Sequence, residues 1–390
     1  MILKDTLCER FVDFARDIFG ASAGQVIPLH APTFGNTEFD FVQEALHSTF
    51  VSTAGYHADQ FAKEISDYTG APFAMPVVSG TAALHLALLG VGVVPGSIVL
   101  TQALSFVATG NAIKYCQADP IFLDVENDTL GMDPVQLEVY LTENCEVRDD
   151  GSVWTKGSKR RVAACLPVHI FGNPCLIFEI KKICDAWGLP LVEDAAESLG
   201  SLEAGVHTGT IGTAGVYSFN GNKLITTGAG GCVVTKDENL ARKISHLANV
   251  SKVSVVDSFE VIHDSIGFNY KMPALNAALG LGQLKSIGSK IGAKRKIHEA
   301  YRNWCADADV ELVTHRVSSN PNFWLNTIRL EAVEDRTRWL SCTNREGVQT
   351  RPLWRPMNEY PQFEGCECAP LPVTKALSQL LLSVPSSPGV

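Results

Sequence analysis

Apolar positions along this chain fall into short β-like runs that alternate with stretches of helical period. The runs are Ala74–Val78, Ser97–Thr101, Pro120–Val125, Val162–Val168, Val192–Asp194, Val216–Phe219 and Cys232–Thr235. Between them, Ala82–Leu89, the stretch up to Tyr115, Gly131–Leu141 and Ile177–Trp187 carry their apolar residues three and four apart. In the last of these, Ile177, Ile180, Ile183, Cys184 and Trp187 share a face, and Gly188 supplies the stop. Strand and helix in this rhythm predict an α/β fold, a mostly parallel sheet with helices on both faces, whose ligands lie at the carboxyl ends of the strands. Residues 142–160 read as loop.

The flanks differ in texture. Residues 1–25 predict an amphipathic helix (Phe11, Phe14, Ala15, Ile18, Phe19) halted at Gly20, an extension before the core. Ile27–His30 is extended, and helices follow over Glu38–Thr49 and Ala58–Thr69. Beyond about residue 235, Leu240–Leu247 is helical, 250–265 irregular, and Ala274–Leu284 helical again. A long charged helix near Ile291–Ala306 links to a smaller α+β remainder. The expected division is therefore 1–25, a large domain over 26–250, and a small C-terminal domain over 251–390.

Candidate chemistry gathers at the strand exits. Lys223 stands between the end of one run and a Gly-rich turn, Gly228-Ala229-Gly230-Gly231. A lysine held there can serve as a nucleophile toward carbonyls. Upstream, Val192-Glu193-Asp194 is an apolar run ending in acid, the partner a pyridinium nitrogen requires. Strand-end Asp and later strand-end Lys are the minimal equipment for pyridoxal phosphate (PLP) chemistry. Ser79-Gly80-Thr81 joins a strand to a helix, where free N–H groups and the helix dipole make a phosphate cradle. A plain N-cap before a core helix has the same sequence. His85, on the apolar helix that follows, reads as a core histidine. Phe106 and His169 also fall at strand exits.

Composition narrows the classes. With 390 residues, 46% hydrophobic and 19% charged, the chain can bury a large core and divide into two lobes. A net charge of −10 argues against a duplex nucleic-acid surface. The absence of a run of 18 apolar residues argues against a membrane span, and the first residues carry no signal-peptide pattern. The 11 cysteines are scattered without a CxxC pair, which suits reduced thiols in a cytoplasmic protein. Cys366 and Cys368 lack a second half-site, so no metal is expected.

Taken together, Ser79–His85, Ser105–Thr109, Pro167-Val168-His169, Glu193–Glu197, Ser218–Lys223 and Asn269–Pro273 resemble the PLP-dependent nucleotide-sugar aminotransferases of fold type I (aspartate aminotransferase-like). The likeness runs in order from about Ile27 to the C-terminus. The Ser-Phe-Asn-Gly-Asn-Lys signature, Gly209-Thr210 and Thr350–Trp354 are similar to a branch that aminates 4-keto-6-deoxy-N-acetylhexosamine nucleotides, on the way to bacillosamine and legionaminic-type sugars. The resemblance implies that Lys223 bonds covalently to PLP and then shuttles a proton, while Asp194 keeps the ring nitrogen protonated. It implies that Phe106 stacks on the ring, and that Gly80, Thr81 and Ser218 hold the phosphate. Glu197 stands where the family often has Gln, near the ring hydroxyl. Asn269 would reach the phosphate of a neighbouring subunit, so a homodimer with shared sites is implied. His169 and Arg351 are candidates for substrate contact or structural support. Thr101-Gln102 and Asn358 depart from the family pattern, outside the cofactor set.

The substrates implied are a nucleotide sugar, UDP-linked or alternatively GDP- or dTDP-linked, and an amino-acid donor, L-glutamate. A related sugar dehydratase carries His where this chain has Lys223. A nicotinamide-dependent oxidoreductase would share the sheet, but needs G-x-G-x-x-G after an early strand, and none follows Val77-Val78 or Leu100. Intact Lys223 and Asp194 argue against a catalytically dead scaffold.

Overall fold

The computed structural model describes the backbone of residues 2–254 and 260–389, and the side chains of 7–253 and 260–389. Among them, seven strands build the central sheet: β1 (Phe73–Val77), β2 (Ile98–Gln102), β3 (Asp119–Leu123), β4 (Arg161–Leu166), β5 (Val192–Asp194), β6 (Ala214–Ser218) and β7 (Gly231–Thr235). They lie in the order β1-β7-β6-β5-β4-β2-β3. Parallel bridges Cys165–Leu191 and Val168–Asp194 join β4 to β5. The β5–β6, β4–β2 and β2–β3 pairs are parallel, and β7 runs against both its neighbours. Strands β2 and β7 are buried at every position, as central strands covered on both faces must be.

Side-chain alternation sends each strand's residues to two cores. Val216 and Val233 face helices α4 (Gly80–Gly90) and α8 (Glu238–Ala248), with α5 (Ala108–Tyr115) beside them. Tyr217, Cys232 and Val234 face α3 (His57–Thr69) and α9 (Ala274–Lys285) on the other side. Farther along that sheet, α6 (Pro134–Asn144) and α7 (Ile177–Trp187) cover Ile98, Leu100, Ile121 and Cys165. Helix α4 starts where the Ser79 hydroxyl accepts the Ala82 N–H, and α7 ends at Gly188 in the left-handed region. Helix α2 (Asn36–His47) precedes α3.

A second, four-stranded antiparallel sheet forms the small lobe: β8 (Glu311–Leu312), β9 (Asn326–Arg329), β10 (Arg351–Pro352) and β11 (Leu381–Val384), ordered β8-β9-β11-β10. Helices α10 (Ile287–Ala308), α11 (Val333–Arg345) and α12 (Pro372–Leu380) accompany it. The N-terminal helix α1 (Ile2–Ile18) is more than an extension. Its Phe11 is fully buried against Tyr301, Trp304 and Trp339, at ring distances of 6.1, 5.3 and 5.2 Å.

Three expectations change. Residues 142–160 contain a hairpin, Cys145–Val147 with Val153–Thr155, whose second strand pairs with the start of β4. Its polar sequence hid it, because an edge hairpin buries only one face. Residues 250–265 include a hairpin of Lys252–Ser254 with Val261–His263; positions 255–259 lie outside the described residues. Helix α10 starts four residues before the predicted Ile291. The last turn of the chain is tied down near the sheet: Ser386 N–H donates to the Leu29 carbonyl at 2.8 Å, and Ala31 N–H to the Ser387 hydroxyl at 2.9 Å.

Candidate active site

A cavity of about 370 Å³ opens over the carboxyl ends of β4, β5 and β6, and among its walls are Thr81, Phe106, Asp194, Lys223, Trp324 and Arg351. The parallel strands account for this. Their exits point the same way, so Asp194 at the end of β5 and Lys223 beyond β6 meet, although they are far apart in sequence.

Asp194 is 3% exposed and sits at the floor. Its Oδ2 accepts the Thr109 hydroxyl at 2.7 Å, and its Oδ1 accepts the Ala196 N–H at 3.2 Å. Thr109 spends its only proton on Asp194, so the Ser105 hydroxyl must donate to Thr109 across their 2.8 Å contact. Burial pushes the Asp194 carboxyl above the usual carboxylate range, against the lowering by the Thr109 hydrogen bond and by Lys223. A buried carboxylate held by few donors is well suited to a cationic partner, such as a protonated ring nitrogen.

Lys223 reaches the same space. Its Nζ lies 3.0 Å from Glu197 Oε1 and 3.9 Å from the centroid of the Trp324 ring. The other Glu197 oxygen accepts the Phe171 N–H at 2.8 Å. Burial also raises the Glu197 carboxyl, and the attraction of Lys223 does not offset it. Behind this wall His30 is pushed down to about 2 by burial and by Lys294, Lys223 and Lys290, so its ring is neutral.

Gly80 and Thr81 open α4 at the cavity edge, and Ser79 takes the Ala82 N–H, so the N–H groups of Gly80 and Thr81 begin the helix without intrahelical acceptors. Two glycines make the approach possible. A Cβ on Gly80 would lie 2.9 Å from the Ser218 Cβ, and one on Gly231 would lie 2.5 Å from the Ser79 carbonyl oxygen. Helix start, Ser218 and β7 thus come together at the cavity wall, a set of N–H and hydroxyl donors that fits the PLP phosphate.

Phe106 lines the mouth, 54% exposed, with its ring 6.5 Å from that of Trp354. Arg351 is exposed at the same mouth. Asn269 is exposed and is not among the residues lining this cavity. Its neighbours Phe268 and Tyr270 stack on each other at 5.0 Å and cover His85, which is buried as expected. Of the two roles expected for His169, its surroundings favour structural support. It is fully buried behind the floor, and its Nδ1 accepts the Cys175 N–H at 3.1 Å. Its Nε2 therefore carries the proton and donates to Glu193 at 3.1 Å, leaving no ring atom for substrate.

Some of the site was missed in the sequence. Glu193, fully buried, accepts N–H bonds from Gly209, Ile211 and Gly212 at 2.7, 2.7 and 2.6 Å. Its place beside Asp194 in an apolar run was the available signal. Trp324 and Asn322 come from a segment between small-lobe strands and carry no local motif. Asn322 Nδ2 donates to the carbonyls of Glu197 and Leu199, and its Oδ1 accepts the Trp324 N–H at 2.8 Å.

A lysine and a buried aspartate converging on one cavity, beside a helix N-terminus in a mostly parallel sheet, define a PLP-dependent enzyme of fold type I. Residues 32–390 match the DegT/DnrJ/EryC1/StrS aminotransferase family, and the chain belongs to it. It is 34% identical over 339 residues to the putative pyridoxal phosphate-dependent aminotransferase EpsN of Bacillus subtilis (strain 168), covering 87% of this chain and 84% of that one. It is 31% identical over 366 residues to GDP-perosamine synthase of Escherichia coli O157:H7, covering 93% and 94%. Among solved structures, DesI in the presence of its TDP-sugar product superposes with a TM-score of 0.80 at 27% identity, over 95% of this chain and 90% of that one. PseC of Helicobacter pylori shares the fold with a TM-score of 0.85 at 22% identity, over 94% and 95%. The protein is a PLP-dependent aminotransferase. Among the described residues, no helix is long and apolar enough to cross a membrane.

Proposed function

We propose that this aminotransferase moves an amino group from L-glutamate to the C4 keto carbon of a UDP-linked 2-acetamido-2,6-dideoxy-4-keto-hexose, in bacillosamine- or legionaminic-type sugar biosynthesis in the cytoplasm. The donor leaves as its 2-oxo acid, and its nitrogen ends on the sugar. The observation that carries the reading is the convergence of Lys223 and Asp194 on one cavity. When bound there, PLP supplies an electron sink for the negative charge left on a carbon that loses its proton.

The chain's own residues divide the remaining work. Asp194, buried and short of donors, holds the proton on the ring nitrogen. The N–H groups of Gly80 and Thr81 and the Ser218 hydroxyl hold the phosphate. Phe106 and Glu197, both in the cavity wall, would hold the ring by its face and by its hydroxyl. Lys223 Nζ takes a proton from one carbon and returns it to another. At the mouth, Arg351 offers a guanidinium to a diphosphate, with Trp354 and Phe106 as flat apolar surfaces beside it. Asn269 is exposed and does not line its own cavity, which suits contact with the phosphate of a second copy in a homodimer. Phe39, Leu46, Phe50 and Tyr56 are exposed apolar residues for such an interface.

The 31% identity to a GDP-perosamine synthase favours a second reading, with a GDP-linked sugar. Purified protein offered UDP-, GDP- and dTDP-linked 4-keto sugars with L-glutamate, read by mass spectrometry, separates the two. The first reading expects an aminated product from the UDP-linked N-acetyl sugar. Turnover only of the GDP- or dTDP-linked sugar removes it, and no turnover of any keto sugar removes both.

A further inference from the structure

Two side chains grip the Lys223 amine, and one short segment positions both. Glu197 Oε1 lies 3.0 Å from Nζ on one side. On the other, the Trp324 ring presents its face at 3.9 Å, inside the range of a favourable cation–π contact. Trp324 is 3% exposed and fixed at three points. Its N–H donates to Asn322 Oδ1 at 2.8 Å, its indole N–H to the Asn222 carbonyl at 2.7 Å, and its carbonyl accepts Lys294 Nζ at 3.0 Å. Asn322 also donates to the Glu197 carbonyl at 2.8 Å, so the segment Asn322–Trp324 sets the gap between ring and carboxylate. Phe323 between them has φ +53°, a strained conformation for a bulky residue, which persists only where its surroundings impose it. Lys294 is fully buried, and burial pushes its amine below the usual lysine value.

We infer that Trp324 and Glu197 form a holding site for the free amine of Lys223, keeping it next to the reacting carbons while it is not bonded to the cofactor. This rests on the functional reading above, in which Lys223 must work with its amine free. A released lysine chain otherwise samples many rotamers, and few of them place Nζ where a proton is to be taken or returned. The indole face holds the cation without a hydrogen bond that would have to break, and Glu197 supplies direction. Trp324 thus touches a reacting atom, whereas Asn322 and Lys294 are positioning residues.

The test uses protein stripped of PLP. The rate at which a small amine-selective acylating reagent labels Lys223 is read by peptide mass spectrometry in wild type, Trp324→Leu, Trp324→Phe and Glu197→Gln. In wild type the amine is covered on one side and committed to a hydrogen bond on the other. Labelling is expected to be roughly three- to tenfold faster in Trp324→Leu, matching the loss of one cation–π contact, and to return most of the way in Trp324→Phe. Reloaded with PLP, Trp324→Leu should lose kcat by a similar factor with the donor KM changed less than about twofold, the mark of an interaction that matters after binding. Equal labelling in wild type, Trp324→Leu and Glu197→Gln overturns the proposal. If Trp324→Leu does not fold, Glu197→Gln alone decides it, since the carboxylate is half of the site. The labelling needs no cofactor, so the two readings fail separately. Wild-type protein that takes up no PLP yet shields Lys223 sinks the aminotransferase role and supports the holding geometry.

Discussion

Asp194→Asn should make the cofactor-free protein more stable and the loaded enzyme nearly inert. Asp194 is 3% exposed and has two donors, the Thr109 hydroxyl and the Ala196 N–H. Its carboxyl is raised by burial. A carboxyl whose folded value lies above its unfolded one stabilises the protein below the unfolded value, ~3.9. That contribution is lost as pH rises through the folded value. At neutral pH the protein without PLP therefore carries an unfavourable buried charge. An amide of the same shape removes it, and Thr109 and Ser105 can turn their hydroxyls to receive the new N–H. Replacing buried charge by a neutral isostere returns about 1–3 kcal/mol. With ~2.1 cal/mol/K of unfolding entropy per residue, a chain of 390 residues shifts Tm by about 1 °C for each kcal/mol. Thermal scans of both proteins without PLP should separate by about 1–4 °C at pH 8 and converge toward pH 4. Loaded with PLP the order reverses, because only the aspartate can hold the ring-nitrogen proton. Turnover should fall on the order of 10²–10³-fold, as when a preorganised charge partner is lost. A variant with unchanged Tm at pH 8, the same PLP-induced rise in Tm and wild-type turnover would refute the reasoning.

Other outcomes follow from the same geometry. Lys223→Ala should abolish both the visible absorption band of the lysine-bound cofactor and turnover; a variant that keeps full transamination removes the central assignment. Gly80→Ala places a methyl 2.9 Å from the Ser218 Cβ, so PLP affinity measured by absorbance titration should fall about tenfold or more, with the fold kept in circular dichroism. Glu193→Gln replaces one acceptor of the Gly209, Ile211 and Gly212 N–H groups with a donor. It should cost about 3 kcal/mol in denaturant unfolding. Arg351→Ala should raise the KM for the nucleotide sugar about tenfold or more and leave the KM for the donor within about twofold.

The large sheet was legible because its strands are buried on both faces, so each reads as a short apolar run between helical periods. The chemistry at its exits was legible for the same reason. Lys223 and Asp194 are polar residues set at the ends of apolar runs, where a side chain has no structural reason to be charged. His169 also falls at a strand exit, but one position decides whether a side chain faces the cavity or the layer behind it. Val168 lines the cavity, and His169 turns away to Glu193. Trp324 was invisible for a different reason. Its role depends on a carbonyl contact from Lys294 and an amide from Asn322, neither of which leaves a period or motif in the chain. The hairpin at 145–155 and the early start of α10 were lost because tertiary pairing, not local propensity, sets those ends.

The reach of Asn322 and Trp324 from the small lobe into the base of the large one bears on how such proteins can be recombined. An experimenter who exchanges the C-terminal third for that of a relative, hoping to change only which sugar is accepted, would also replace the indole beneath the lysine and the amide that fixes the carboxylate opposite. Chimeras cut near residue 250 should therefore differ in chemical rate as well as in selectivity, unless Asn322, Trp324 and Lys294 travel with the N-terminal part.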